Sequence, residues 1–318
     1  MASFEVQPVT GVIGAEIRGV DPSQPLDRST VADLRAAWLE HLVLFFRDVD
    51  VTPDQQVAFA RRFGEIQVPH LRTAHGGPPE INVLDQTHPK GDGADTWHND
   101  STYAPCPPMG SVLRVVQLPA VGGDTCFANM HAAYETLSPG LRRRIDELEA
   151  VHDIVPQIVV ALERGHTTMS AEEARAQFPL VRHPVVRIHP ETGRKALFVN
   201  CNHTIHIADV PRAESDALLG LLYEHVKSPE LQCRFRWDAH SLVLLDNRAC
   251  QHYAVPDYRE RRILHRVTMQ GDRPYGPAHA ATAATAATAA TAAAAAAPAT
   301  EGHDGRSGAP TPALAARG

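Results

Sequence analysis

The chain has 318 residues, a formal net charge of −7 and 18 histidines. A mixed, mildly acidic charge with no basic run argues against nucleic-acid binding, and no stretch approaches the roughly 20 apolar residues of a membrane span. No basic-then-apolar leader follows Met1, and Cys106, Cys126, Cys201, Cys233 and Cys250 form no CxxC pair, so a reducing cytoplasmic setting is expected, without a disulfide framework or structural zinc.

Ser29-Thr30 opens a helical stripe of Val31, Leu34 and Trp38 that runs on into the apolar residues 42–46. Thr52-Pro53-Asp54-Gln55 is a capping box with proline at the first helical position, and Gly64 ends that helix after Val57, Ala60 and Phe63. Strand-like runs follow at 81–85 and 112–118, the second closed by the turn Val121-Gly122-Gly123. Ser138-Pro139 caps a helix carrying Leu141, Ile145 and Leu148, and Ser170 to Glu173 opens another. After the turn at Thr192-Gly193, residues 196–200 read as a strand. Pro211 starts a helix with Leu218, Leu219, Leu222 and Val226 on one face, and residues 242–245 and 263–270 read as strands.

From Ala280 the sequence becomes an Ala/Thr repeat, an Ala run and a Gly/Pro/Ala-rich end. It has almost no large apolar side chains to offset the entropy of ordering. Residues 1–276 are therefore expected to form one domain and 277–318 a low-complexity, disordered tail. Strands do not alternate regularly with helices, which excludes a doubly wound parallel sheet. The pattern predicts a mainly β core with flanking α-helices, of the jelly-roll or barrel type.

Trp97-His98-Asn99-Asp100 places an imidazole and a carboxylate two residues apart, on one face of extended backbone. Alone, such a pair is readily a polar surface segment. His252, just past the apolar run 242–245, completes a set of two histidines and one carboxylate, which binds iron(II) on one side and leaves positions open on the other. Arg262 and Arg266 are four apart on a strand and face the same way; inward, they would need anions, whereas a solvated face accounts for them equally well. Gly122-Gly123-Asp124-Thr125 offers a tight turn and a hydroxyl, and locally reads as a plain hairpin turn.

In this order the pieces resemble the taurine dioxygenase and 2,4-dichlorophenoxyacetate dioxygenase family. The resemblance is carried by Arg62 to Glu65, Trp97 to Asp100, Gly122 to Thr125, His183 to Pro190, Ala196 to Asn200, Asp246-Asn247-Arg248, His252-Tyr253 and Arg262 to Arg266. It implies a double-stranded β-helix (jelly roll) using iron(II), 2-oxoglutarate and O2, hydroxylating a C–H bond and releasing succinate and CO2. His98, Asp100 and His252 match the iron ligands. Thr125 and Arg262 match the groups holding the far carboxylate of 2-oxoglutarate. Arg266 matches a second arginine near the metal-chelating end and the anionic head of the substrate. Iron(II), Asp100, dianionic 2-oxoglutarate and two arginines sum to +1, so a small monoanion (sulfonate, sulfate ester or carboxylate) is the expected partner. Homo-oligomerisation is left open.

His70, Ser101 and His203 stand as further substrate-binding candidates beside Arg266. The family's substrate-lining pattern differs here: Pro69-His70 inverts a His-Pro order, Ala94 replaces an Asn, His203 an aromatic and Leu245 a Trp. These departures speak against taurine itself. His203 is expected as a pocket wall, His206 as solvent-facing and His265 as structural. The alternatives are a zinc-type metallohydrolase, which would not need paired arginines, and an inactive metal-binding jelly roll. A halogenase is disfavoured by Asp100.

Overall fold

A computed structural model describes residues 4–68, 77–86 and 94–278. Two compact units divide the chain, Met1–Ala280 and Ala281–Gly318, and every described residue belongs to the first. The tail expected over 277–318 lies outside the described residues from His279 onward.

The N-terminal part comprises β1 (Glu5–Pro8), β2 (Ala15–Arg18), α1 (Arg28–His41), β3 (Val43–Phe46), α2 (Pro53–Ala60), β4 (Ile66–Gln67) and β5 (Ile81–Gln86). The middle holds β6 (Gly110–Gln117), β7 (Thr125–Asn129), α3 (Met130–Glu135), α4 (Pro139–Ile145), β8 (Glu149–His152), α5 (Val155–Glu163) and α6 (Ala171–Gln177). Then come β9 (Val181–Pro184), β10 (Val186–Ile188), β11 (Lys195–Leu197), β12 (Thr204–Ile207) and α7 (Arg212–Val226). The last strands are β13 (Gln232–Phe235), β14 (Leu242–Asp246), β15 (Cys250–Ala254) and β16 (Arg262–Met269).

The large sheet runs β1-β2-β3-β14-β6-β16-β4, with β5 also on β16. Smaller sheets are β13-β7-β15, β12-β8-β9 and β10-β11. Strand alternation sorts the apolar residues of the large sheet into two layers. Val43, Phe45, Leu113, Val243, Leu245 and Leu264 face inward and meet Phe127, Phe235 and Cys250 of the small sheet. Leu44, Phe46, Val112, Leu242, Leu244 and Val267 face outward and are covered by Leu34 and Trp38 of α1 and by Val57 and Phe59 of α2. Both faces of β14 are thus buried, which explains its unbroken apolar sequence. The inner layer is pinned by Phe45, stacked on Phe235 at 4.2 Å and tilted against Phe127 at 5.7 Å. This is the expected jelly roll with flanking helices.

Several local expectations shift. The first helix starts earlier, because the side chain of Asp27, not Ser29 or Thr30, accepts from the Thr30 amide. Its stripe does not continue as helix: Leu42 turns left-handed (φ 64°) and β3 begins. The Thr52–Gln55 capping box is formed in full, but α2 ends at Ala60, short of Gly64. The strand expected over 196–200 stops at Leu197. No helix among the described residues is long and apolar enough to cross a membrane.

Candidate active site

His252 sits inside β15, and an isolated antiparallel bridge joins it to His98. The His98 amide donates to the His252 carbonyl (3.1 Å) and the His252 amide to the His98 carbonyl (2.9 Å). This exchange sets the two imidazoles side by side, with ring centroids 4.2 Å apart. Asp100 Oδ1 lies 3.9 Å from Nε2 of each histidine. All three side chains are buried, and one ligating atom from each lies within 4.8 Å of the others.

The donor set suits a divalent metal. The Thr96 carbonyl can only accept, so His98 Nδ1 carries the proton (2.7 Å) and Nε2 presents its lone pair. Burial lowers the pKa of both imidazoles, that of His252 to about 3, against the opposing charge of Asp100. Both rings are therefore neutral at pH 7, as ligation requires. Burial opposes ionisation of Asp100, but the Arg266 guanidinium outweighs it, joined at low pH by the two imidazoles once they are protonated, and the carboxyl is held below its usual range.

Asp100 is fixed by the turn after β14. Its amide donates to Asn247 Oδ1 (2.7 Å), while Asn247 Nδ2 donates to the carbonyls of Asp100 (3.0 Å) and Pro108 (2.9 Å). Asn99 Nδ2 returns the tie to the carbonyls of Asn247 and Cys250. Asp246 is itself held by Arg248 and His189. The Asp246-Asn247-Arg248 motif thus positions Asp100 at one remove.

A second polar cradle lies along the same inner face. His252 pairs with Phe127 in the β15–β7 ladder, and Thr125 is two residues further on β7. Arg262, 2% exposed, donates from Nε to the Gly123 carbonyl (3.0 Å) and from Nη2 to Thr125 Oγ1 (3.2 Å). Thr125 Oγ1 also accepts from Trp237 Nε1 (2.9 Å), so its own hydrogen is free to point at a ligand. Among the described residues Arg262 has no carboxylate within ion-pairing distance, a costly state for a buried cation that an incoming carboxylate would relieve. The turn is more than a plain hairpin: Gly122 (φ 83°) and Gly123 (φ 76°) are left-handed, and a Cβ on Gly122 would stand 2.5 Å from Asp257 Oδ1.

Outside the triad opens a cavity of about 600 Å³. His98, Asp100, Ser101, His203 and Arg266 line its metal end; Ile154 and Phe178 line the end beside α5 and α6. Arg266 Nη1 donates to Asp100 Oδ1 at 2.5 Å. Ser101 is held left-handed (φ 51°). His203 is buried, its pKa is lowered to about 3 by burial, and its Nδ1 has no hydrogen-bond partner among the described residues. Its ring packs on Tyr103 (5.1 Å), and Tyr103 on Phe178 (5.4 Å), making one aromatic wall. Of the sequence-derived site residues, only His70 lies outside the described residues. His206 is half-buried rather than solvent-facing, since β12 is paired to β8. His265 faces away from the cavity and bonds Arg114 through Nδ1 (2.9 Å).

Sequence reasoning missed Trp237, the Tyr103–Phe178 wall and the asparagine ties. Asn200 accepts from the amides of Asn202 and His203 and donates to Thr102 Oγ1 (2.9 Å), joining the His203 loop to the segment after Asp100. The Asn residues did carry a signal, since Asn99, Asn200 and Asn247 all stand in matched motifs; Trp237 carried none.

A jelly roll with two neutral imidazoles and one carboxylate converging at its mouth, and a buried arginine beyond them, defines a mononuclear metal-dependent oxygenase architecture. Residues 5–268 match the model of the "Taurine catabolism dioxygenase TauD, TfdA family". The chain belongs to this family, whose members are iron(II)- and 2-oxoglutarate-dependent dioxygenases. It is 40% identical over 291 residues to an alpha-ketoglutarate-dependent sulfate ester dioxygenase of Pseudomonas putida, covering 86% of this chain and 91% of that one. It is 34% identical over 287 residues to a (S)-phenoxypropionate/alpha-ketoglutarate-dioxygenase of Sphingobium herbicidovorans, covering 85% and 96%. A crystal structure of a taurine dioxygenase from Burkholderia xenovorans superposes with a TM-score of 0.74 at 39% identity, over 86% of this chain and 93% of that one.

Proposed function

We propose that the chain hydroxylates a C–H bond of a small organic monoanion: a sulfate ester, sulfonate or carboxylate. In this reading His98, Asp100 and His252 hold iron(II), and Arg262 with Thr125 holds the far carboxylate of 2-oxoglutarate. The observation that carries it is the pairing of an open-faced candidate metal triad with a buried arginine that has no carboxylate partner among the described residues. A zinc hydrolase would have no use for that arginine.

Iron(II), 2-oxoglutarate and O2 together supply the oxidising chemistry: the cosubstrate becomes succinate and CO2, and one oxygen atom enters the substrate. The protein's own part is binding and orientation. Arg262 presents a planar fork to one carboxylate, and Thr125, its oxygen already taken by two donors, turns its hydrogen the same way. Arg266 brings positive charge to the cavity beside Asp100 and favours a substrate with an anionic head. With two protein charges of +1 against iron(II), Asp100 and dianionic cosubstrate, the site carries a surplus of +1 that a monoanion neutralises. His203, Tyr103 and Phe178 then wall the body of the substrate, with Ser101 at the metal end. When the hydroxylated carbon bears the ester oxygen or the sulfur, the product falls apart and the anion leaves. A catalytic domain over 1–276 and a cytoplasmic setting, supported by five unpaired cysteines, belong to the same reading.

The test has two stages. Iron(II) and 2-oxoglutarate added without oxygen should give a visible charge-transfer band, which His98→Ala abolishes. Under air, a panel of alkyl sulfates, sulfonates and aryloxyalkanoates should contain compounds that drive stoichiometric succinate release. Absence of the band, with zinc retained through purification, would sink the proposal.

A further inference from the structure

We infer that Arg266 couples metal loading to anion binding, making the site resist a metal ion until an anion reaches the cavity. The inference rests on the metal assignment proposed above and adds a role for this arginine before any substrate turns over.

The oxygen of Asp100 nearest to both imidazoles is Oδ1, 3.9 Å from each Nε2. That same atom accepts from Arg266 Nη1 at 2.5 Å. Oδ2, by contrast, meets only Ser111 Oγ at 3.5 Å. The guanidinium therefore does not sit on the spare oxygen, where it would support a metal–carboxylate bond from behind. It sits on the one oxygen that both histidines face.

Two consequences follow from charge alone. In the metal-free protein Arg266 neutralises a buried carboxylate that would otherwise be uncompensated, so the pocket persists without metal. For the same reason it opposes a second cation at that oxygen, through repulsion and through competition for the lone pair. Arg266 also has capacity to spare: among the described residues its Nε is buried without a partner, and its side chain lines the cavity. An anion arriving there takes up the positive charge and frees Oδ1. By linkage, anything that draws the guanidinium toward the cavity must tighten metal binding, and the metal must tighten the anion by the same factor.

Manganese(II) is the probe, followed by the spin-resonance signal of the free ion. It is titrated into metal-free wild type and Arg266→Gln, with and without N-oxalylglycine. Arg266→Gln should bind Mn(II) alone about 10-fold more tightly than wild type. The tightening caused by N-oxalylglycine should shrink by about the same factor; it does not vanish, since the analogue also chelates the ion. A measurement on wild type alone guards against a variant that fails to fold: hexanesulfonate, which does not chelate, should tighten Mn(II) several-fold. Unchanged or weaker Mn(II) binding by a folded Arg266→Gln, or no effect of hexanesulfonate on wild type, would overturn the coupling. If wild type binds no Mn(II) even with N-oxalylglycine, the metal assignment itself falls; if it binds but the variant is no tighter, only the coupling falls.

Discussion

The backbone around Asp100 and the aromatic wall of the cavity beside it are held by different means. Around Asp100 the backbone is tied down: Asn247 holds its amide and carbonyl, Asn99 holds the turn that carries Asn247, and backbone exchange fixes His98 against His252, while His252 Nδ1 and Arg266 Nε stay buried without a partner among the described residues. The wall made by His203, Tyr103 and Phe178 is held by ring packing, and the imidazole facing the cavity keeps an unpartnered nitrogen. The candidate ligands are fixed through their backbone, whereas the wall rests on the packing of rings. That division lets one reaction be kept while its target varies.

The contrast predicts effects of graded size. Arg262→Gln removes the guanidinium proposed to hold the far carboxylate of the cosubstrate; losing a buried charge pair costs about 3 kcal/mol, so KM for 2-oxoglutarate should rise roughly 100-fold while the protein stays folded. Steady-state kinetics with varied cosubstrate checks it, and a change below 5-fold would dissociate Arg262 from the cosubstrate. Asn247→Ala touches no ligand yet frees the backbone of Asp100; metal affinity should fall about 10-fold or more, as for other supports of metal ligands. Metal titration with retained secondary structure is the readout. His203→Phe should leave metal and cosubstrate affinity unchanged and raise KM for the best anionic substrate by about 10-fold, the worth of one hydrogen bond to a charged group. If kcat falls and KM does not, His203 acts on the metal end instead.

The smallest effect concerns pH and is read at two histidines outside both regions. Burial lowers the pKa of His131 and of His183 to about 4, against about 6.5 in an unfolded chain. Between those values the unfolded chain binds more protons, so stability is full above about 6.5 and erodes as pH falls toward 4. Urea unfolding of metal-free protein at pH 7, 6 and 5 should show the loss. His183→Asn should flatten the slope by at most ~1.4 kcal/mol per pH unit.

Much of this was legible in the chain. The capping boxes at Thr52 and Ser170 and the apolar runs of β6, β14 and β16 announce their elements, because each relies on local chemistry. What was hidden depends on distant partners. β7 and β13 are five and four residues long and acquire their identity only by pairing, β13 with β7 and β7 also with β15. α5 begins at Val155 after Ile154, with no side-chain cap to mark it. In the site, the triad, Thr125, Arg262 and Arg266 stand in motifs, and His203 was visible as a departure from one. Trp237 was not, because it reaches Thr125 across 112 positions of sequence. That Oδ1, and not Oδ2, carries Arg266 is a matter of rotamers that no pattern encodes.

The place of β14 in the large sheet has a consequence for how the molecule is made. Residues 242–246 pair on one side with 43–46 and on the other with 110–114. Until the ribosome has released nearly the whole domain, β3 and β6 lack the strand that lies between them and expose apolar edges. Such long-range closure is slow, and its precursors are prone to stick to one another. The turn that orients Asp100 follows directly on that strand, so the pocket takes shape only as the sheet itself is completed. Maturation of the metal site is therefore a late event in the life of each new chain.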